Sequence, residues 1–351
     1  MKKITWQFLI KVVVLLTFIR SMADFSTPAI VGGKYNVLAT EGYLAFIAEG
    51  DVSKAVIMNL IILLPSLIIF LVFSKSFRST ATESRGLVSV SLNMRKSGVI
   101  YYISAIASTL ILFALVSLYG AIILSAFSTM EYGKLVLTLQ NFSDASEYIS
   151  GVFIRSIIYA LIAGGLSSVI GHVLQYYINI RKIKSLKIID FVATLPYILP
   201  GTFFGLGYVL AFNSTPLKLT GTAAIVVLNL IFKQMPFASK IGYSSVSQVS
   251  TSQLKSVRDL GGSRMNEIKD VVFPLSKRGL YVSFVNGFTA TMTTIGSIIF
   301  LVYPSQKVAT LVMFDVIESG KYDIGSVIAF YIIVICLLVN VVYYLVINRK
   351  R

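Results

Sequence analysis

The pattern of apolar and polar positions divides the chain into eight long apolar runs separated by short polar stretches. They span about Ile4–Met22, Val56–Phe73, Val99–Phe127, Val152–Ile178, Ile188–Phe212, Thr222–Phe237, Leu280–Val302 and Ile324–Ile347. Several exceed the length at which an apolar stretch with few charges reads as a membrane-crossing helix. The first is interrupted by Lys11, which would face the helix bundle if that run crosses the membrane. It also lacks a small-residue cleavage site, so no cleavable leader is expected. The pattern predicts an all-α integral membrane protein of about eight transmembrane helices.

Composition supports the same picture. The 351 residues are 56% hydrophobic and 13% charged, where soluble domains carry about a quarter charged residues. The net charge of +16 raises a nucleic-acid role, and its distribution answers it. With both ends cytoplasmic, the inner segments hold 22 Lys and Arg against five acids. The outer segments hold eight against ten. This is the positive-inside asymmetry that orients membrane proteins, and no basic face is interleaved with exposed aromatics. Cys336 alone excludes a disulfide scaffold and a thiolate cluster, and reads as a small buried residue. There is no G-x-x-x-x-G-K-[ST] loop and no nucleophile, His and acid arrangement. Catalytic residues, a bound metal and a bound cofactor are therefore not expected on this chain.

Two features of organisation stand out. Placing residue 38 over residue 308 without a gap superposes Ala39-Thr40 on Ala309-Thr310, Ile47 on Ile317 and Gly50 on Gly320, each followed by an apolar run. The first two runs thus read as a degenerate copy of the last two. The fifth run is broken by Pro196 and Pro200, each of which removes a backbone donor. Gly201, Gly205 and Gly207 beside them allow close helix approach. Ordinary packing accounts for such glycines. The alternative is that this broken span lines a path, since irregular backbone at membrane depth is tolerated beside protein or a water-filled cavity. Asp24, at the outer end of the first run, is either a path residue or an interface residue.

Among the remaining polar residues, His172 is expected to make a helix–helix hydrogen bond. Arg155 is expected to reach the outer surface, and Asp190 to pair locally with Lys187.

Residues 255–274, KSVRDLGGSRMNEIKDVVFP, form a charge-dense stretch between apolar runs. A helix is expected over 251–260, capped by Ser250, Thr251 or Ser252 and ended by a left-handed Gly261 or Gly262. Leu254, Val257 and Leu260 share one face at helical spacing, with Lys255, Arg258 and Asp259 as a polar rim. Pro274 would stop a second short helix. A membrane-surface helix binding anionic lipid is the plain alternative.

The spacing from Gly261 through nine residues to Val271, Phe273 and Pro274 resembles the cytoplasmic loop of binding-protein-dependent ABC importer permeases of type I. That loop reads Glu-Ala-Ala, three residues, Gly, nine residues, then Ile-x-Leu-Pro. Here Lys255, Ser256 and Val257 stand in place of Glu-Ala-Ala, reversing a charge. Further similarity lies in Leu195-Pro196, Leu199-Pro200-Gly201-Thr202, Phe204-Gly205-Leu206-Gly207-Tyr208 and, upstream, Ala23-Asp24-Phe25-Ser26-Thr27-Pro28. These resemble the importers for ferric iron, thiamine and 2-aminoethylphosphonate that fuse two permease halves in one chain.

The resemblance implies a remnant of a first half at 1–75, a cytoplasmic linker at 76–98 and a complete permease domain at 99–351, with a docking loop at 238–276. It implies that Leu254, Lys255, Ser256, Val257, Arg258, Asp259, Leu260, Gly261, Gly262 and Pro274 meet a cytosolic ATPase, two copies of which would hold ATP and Mg. An external solute-binding protein would deliver solute, ferric iron being favoured. A second permease chain could supply the missing half. Two alternatives remain: a non-transporting remnant or regulatory subunit, and an ion-coupled secondary transporter. The near absence of acids from the spans argues against the second.

Overall fold

The computed structural model describes residues 14, 17–18, 21–33, 35–83 and 98–348. Most of the first expected span, with Lys11, and much of the expected linker lie outside these residues. The described chain is helical, with one small two-stranded hairpin that the apolar pattern did not foretell. The helices are α1 (Ser26–Val31), α2 (Leu38–Ile47), α3 (Val52–Glu83), α4 (Val99–Ala126), α5 (Gln140–Ile149), α6 (Val152–Gln175), α7 (Leu186–Thr194), α8 (Gly201–Phe212), α9 (Ala223–Val246), α10 (Thr251–Asp259), α11 (Phe273–Met292), α12 (Ala309–Glu318) and α13 (Tyr322–Asn348). Helix α3 continues to Glu83, into the stretch assigned to the linker.

Among the described residues, four helices are long and apolar enough to cross a membrane, or five if a bent pair counts as one span. They include α4, α6 with its π-helical extension to Ile180, α9 and α13. The span expected over Leu280–Val302 is displaced. Helix α11 begins at Phe273 and ends at Met292, and 293–303 runs in turns. The span expected over Thr222–Phe237 is longer, because α9 runs on to Val246.

The chain divides into two compact units. Of the described residues, one comprises those up to 67, with 149–312 and 332–348, and the other those within 68–148 and 313–331. The first is built around α6. Ala160, Ala163, Gly164, Ser167, Ser168 and Gly171 recur at helical spacing and are all buried. Ile154, Ile158, Leu161, Leu166, Val169 and Ile170 are exposed. Large apolar side chains outside and small ones inside is the arrangement expected where lipid solvates the outer face and backbones must approach closely. A Cβ on Gly164 would lie 2.9 Å from the Phe284 carbonyl oxygen on α11. One on Gly171 would lie 2.7 Å from the Ala238 carbonyl carbon on α9.

In the second unit, β1 (Ser128–Glu131) pairs antiparallel with β2 (Lys134–Leu137). Phe330 packs edge-to-face on both Phe127 and Phe142 beside the hairpin, an arrangement aromatic rings favour.

The internal repeat is a repeat of local structure. Helix α2 is followed by Gly50 at φ +66° and then α3 from Val52. Helix α12 is followed by Gly320 at φ +79° and then α13 from Tyr322. Ala39 and Thr40 are buried in one copy, Ala309 and Thr310 in the other.

Candidate functional site

Residues 247–272 leave α9 and return to α11 through a short, fully capped helix. Ser250 accepts from the Ser252 N–H, and the Gln253 side chain accepts from the Ser250 N–H, so two backbone donors at the start of the helix are met reciprocally. At the far end the Gly262 N–H donates to Val257 O and the Gly261 N–H to Arg258 O, both at 2.8 Å. This double bond pattern requires a left-handed residue, and Gly261 has φ +78°. The helix expected over 251–260 is thus present as α10, with Ser250 as its cap.

Its faces differ from the expectation. Leu254 is 1% exposed and packs into a cluster with Tyr176, Val246, Val249, Ile268 and Val272. It therefore anchors α10 to its own chain and is withheld from any partner. Val257 is half-buried. Leu260 is 88% exposed and, with Met265 at 68%, forms the apolar part of the free surface. Lys255, Ser256, Asp259 and Gly261 are exposed, and Gly262 is half-buried.

Arg258 is turned inward in part. Its Nε lies 2.9 Å from Glu267 Oε1.

Glu267, which the sequence gave no reason to single out, is fully buried. The Tyr176 hydroxyl donates to its Oε2 at 2.6 Å, and Arg181 Nη2 lies 2.9 and 2.8 Å from its two oxygens. A buried carboxylate costs several kcal/mol unless paired and hydrogen-bonded, and here both oxygens are served. Burial opposes the charge on Arg181, but the Tyr176 hydroxyl and Glu267 together hold its pKa above the ordinary arginine value.

Pro274 does not stop a helix. Residues 264–292 run continuously through a π-helical stretch, Glu267–Val272, into α11. The Phe273 N–H bonds back to Ile268 O. The wider turn shifts the hydrogen-bond register, and Pro274, which has no N–H to donate, falls directly after that shift at the start of α11.

The broken span forms the second candidate region. Leu186–Tyr197 and Gly201–Phe212 are bent by 119°. The Pro200 N–H that would have bonded Pro196 O in a continuous helix does not exist. Lys233 on α9 replaces it: Nζ donates to Pro196 O at 3.0 Å and to Leu199 O at 3.3 Å. The same ammonium lies 5.6 Å from the Phe204 ring centroid, within cation–π range. The sequence pattern alone gives Lys233 no role of its own.

Gly201 and Gly205 press against the turns after α11. A Cβ on Gly205 would lie 2.6 Å from Ser297 O, and one on Gly201 3.1 Å from the Gly296 carbonyl carbon. Both are therefore packing glycines, whereas Gly207 has open space. Thr202 donates to Asn59 Oδ1 at 2.7 Å. Nearby, Ser156, Tyr159, Thr291 and Thr310 help line a cavity of roughly 10 Å³, room for about one water molecule. The Asn229 amide, the Thr291 hydroxyl and the Ser297 hydroxyl are buried with no hydrogen-bond partner among the described residues.

Two expectations are corrected, those for Asp190 and His172, and two further residues are placed. Asp24 accepts from Ser26 Oγ and the Thr27 N–H at the start of α1, a local capping role. Asp190 Oδ1 accepts from Gln175 and Ser239, with Lys187 uninvolved in either bond. Arg155 is half-buried and donates to Lys307 O at 2.8 Å. The His172 ring bonds Ser168 O in its own helix and makes no bond to another.

Comparison with known proteins follows the same lines. The family described as "Binding-protein-dependent transport system inner membrane component" matches residues 167–351. A ferric transport system permease protein of Actinobacillus pleuropneumoniae is 31% identical over 89% of this chain and 46% of its own length. A putative ferric transport system permease protein of Haemophilus influenzae is 31% identical over 84% of this chain and 48% of its own. The chain thus spans about half the length of these relatives. Among solved structures, a chain of the bacterial alginate ABC transporter, crystallised with a pentasaccharide-bound periplasmic protein, aligns with TM-score 0.52. It is 17% identical, over 69% of this chain and 92% of its own. That likeness concerns the fold.

Proposed function

This chain belongs to the family of binding-protein-dependent transport system inner membrane components, and from that premise we propose that it is a permease subunit of an ATP-driven importer carrying ferric iron. An external binding protein delivers the solute. A separate cytosolic ATPase supplies ATP hydrolysis and grips the segment 251–272. Both termini face the cytoplasm, and a second permease chain completes the path. The solute moves by repacking of helices, with no covalent chemistry on this chain.

The observation that carries the proposal is the construction of the 251–272 segment. A capped helix is fixed to the membrane helices by Leu254 and Glu267, while Leu260 and Met265 remain exposed. An element that must receive a push needs a rigid attachment and a free face, and this segment has both. The choice of ferric iron rests on the two ferric permease relatives.

The alternative is a subunit of the same family that does not itself carry solute. Uptake of radiolabelled ferric iron separates them. Cells carrying this chain with its binding protein and ATPase should accumulate iron in an ATP-dependent manner, and cells lacking the chain should not. Equal uptake in both would refute the transport proposal.

A further inference from the structure

Motion of α10 must reach the membrane helices through whatever joins them, and the structure contains two joints. One is the apolar plug of Leu254 between Tyr176 and Val272. The other is Glu267. Its carboxylate is met by Arg258 from α10, and by Tyr176 and Arg181 from the inner end of α6 and its π-helical extension. The Arg181 Nε also donates to the Tyr176 hydroxyl at 2.9 Å, closing the network. Apolar contacts are non-directional and tolerate sliding, whereas charge-assisted hydrogen bonds fix direction as well as distance. The partners lie 86 and 91 residues from Glu267 in sequence, so the network ties separate elements together.

We propose that Glu267 is a positioning residue for coupling: through Arg258 on one side and Arg181 with Tyr176 on the other, it carries displacement of α10 to the end of α6. This inference rests on the proposal that an ATPase docks on 251–272. It goes beyond docking, because it assigns a route for the motion after docking and places the acid inside the chain. Helix α6 is the element that would pass the motion on, since it approaches both α9 and α11 through glycine contacts.

The test uses the assembled complex of the full chain with its ATPase, and hydrogen exchange with and without ATP plus vanadate. Arg258→Ala is the informative variant, because Glu267 keeps Arg181 and Tyr176 and stays compensated. In the wild type, nucleotide should change exchange both in 251–260 and in 173–181. In Arg258→Ala the response in 251–260 should persist, while the response in 173–181 falls severalfold, as expected when the ion pair that joins α10 to Glu267 is lost. Arg258→Lys should recover most of it.

An unchanged response at 173–181 in Arg258→Ala would overturn the inference, as would a wild type with no response there. Loss of the response at 251–260 itself would also overturn it, since Arg258 would then be a contact to the ATPase. Failure of the wild-type chain to hold the ATPase at all would remove the docking proposal, and this inference with it.

Discussion

Lys233 Nζ donates to the carbonyl oxygen of Pro196, the oxygen that the residue four positions on, Pro200, cannot satisfy. A proline break at membrane depth leaves carbonyls without donors, and no water is at hand in hydrocarbon. A lysine from the neighbouring helix supplies the donor. This accounts for a cation within α9 and for a bend of 119° held in a defined geometry.

Replacing Lys233 by Met should therefore destabilise the chain through the break. Each carbonyl left unsatisfied costs about 1–3 kcal/mol. Thermal unfolding of the detergent-solubilised chain should shift down in Lys233→Met. It should recover in part in Lys233→Met/Pro200→Ala, where residue 200 regains an N–H. A double variant no more stable than the single would count against the pairing.

Glycines on α6 offer a matched comparison. A Cβ at Gly171 meets α9 backbone at 2.7 Å, while Gly165 has nothing within 4 Å. Gly171→Ala should force α6 and α9 apart at a cost of about 1–3 kcal/mol. Gly165→Ala should be neutral or slightly stabilising, by about 0.4–1 kcal/mol. Size-exclusion profiles and melting temperatures of the two variants distinguish these outcomes.

Leu254 and Gly262 separate attachment from exposure in the 251–272 segment. Leu254→Ala removes buried atoms at a cost of about 2–5 kcal/mol, and should speed amide exchange across 251–272 before it affects α13. At Gly262 a Cβ would lie 2.7 Å from Val257 O, whereas at Gly261 it meets open space. Gly261→Asn should then cost less than Gly262→Ala, because Asn tolerates the left-handed region. The reverse order in melting temperature would contradict the capping geometry described.

Much of this architecture is legible in the sequence. The runs that became α4, α6 and α13 were placed within a few residues, because long apolar segments in lipid have few alternatives to helix. The repeat at 38 and 308 is legible from four identities, one of them a glycine held at positive φ in both copies. The stretch 293–302 was not, since apolarity reports burial and not conformation, and Thr293-Thr294 and Gly296-Ser297 end the helix early. Leu254 and Leu260 share helical spacing, yet one is buried and the other exposed. Spacing identifies a face, but only tertiary packing says which edge of it the chain itself covers. Glu267 and Lys233 were missed because their partners are remote in sequence, and a charge in a charge-rich stretch gives no sign that it is buried.

The central claim is that the exposed face of 251–272 is where an ATPase docks, and Leu260 is the residue on which to test it. Its side chain is 88% exposed, so Leu260→Glu should leave the fold intact, surface changes away from special features typically costing within about 0.5 kcal/mol. The measurement is co-purification of the ATPase with the full-length chain, wild type beside Leu260→Glu, at equal yield and equal melting temperature. The account predicts that the wild type retains the ATPase and that the variant loses most of it. A folded Leu260→Glu chain that holds the ATPase as tightly as the wild type would contradict it.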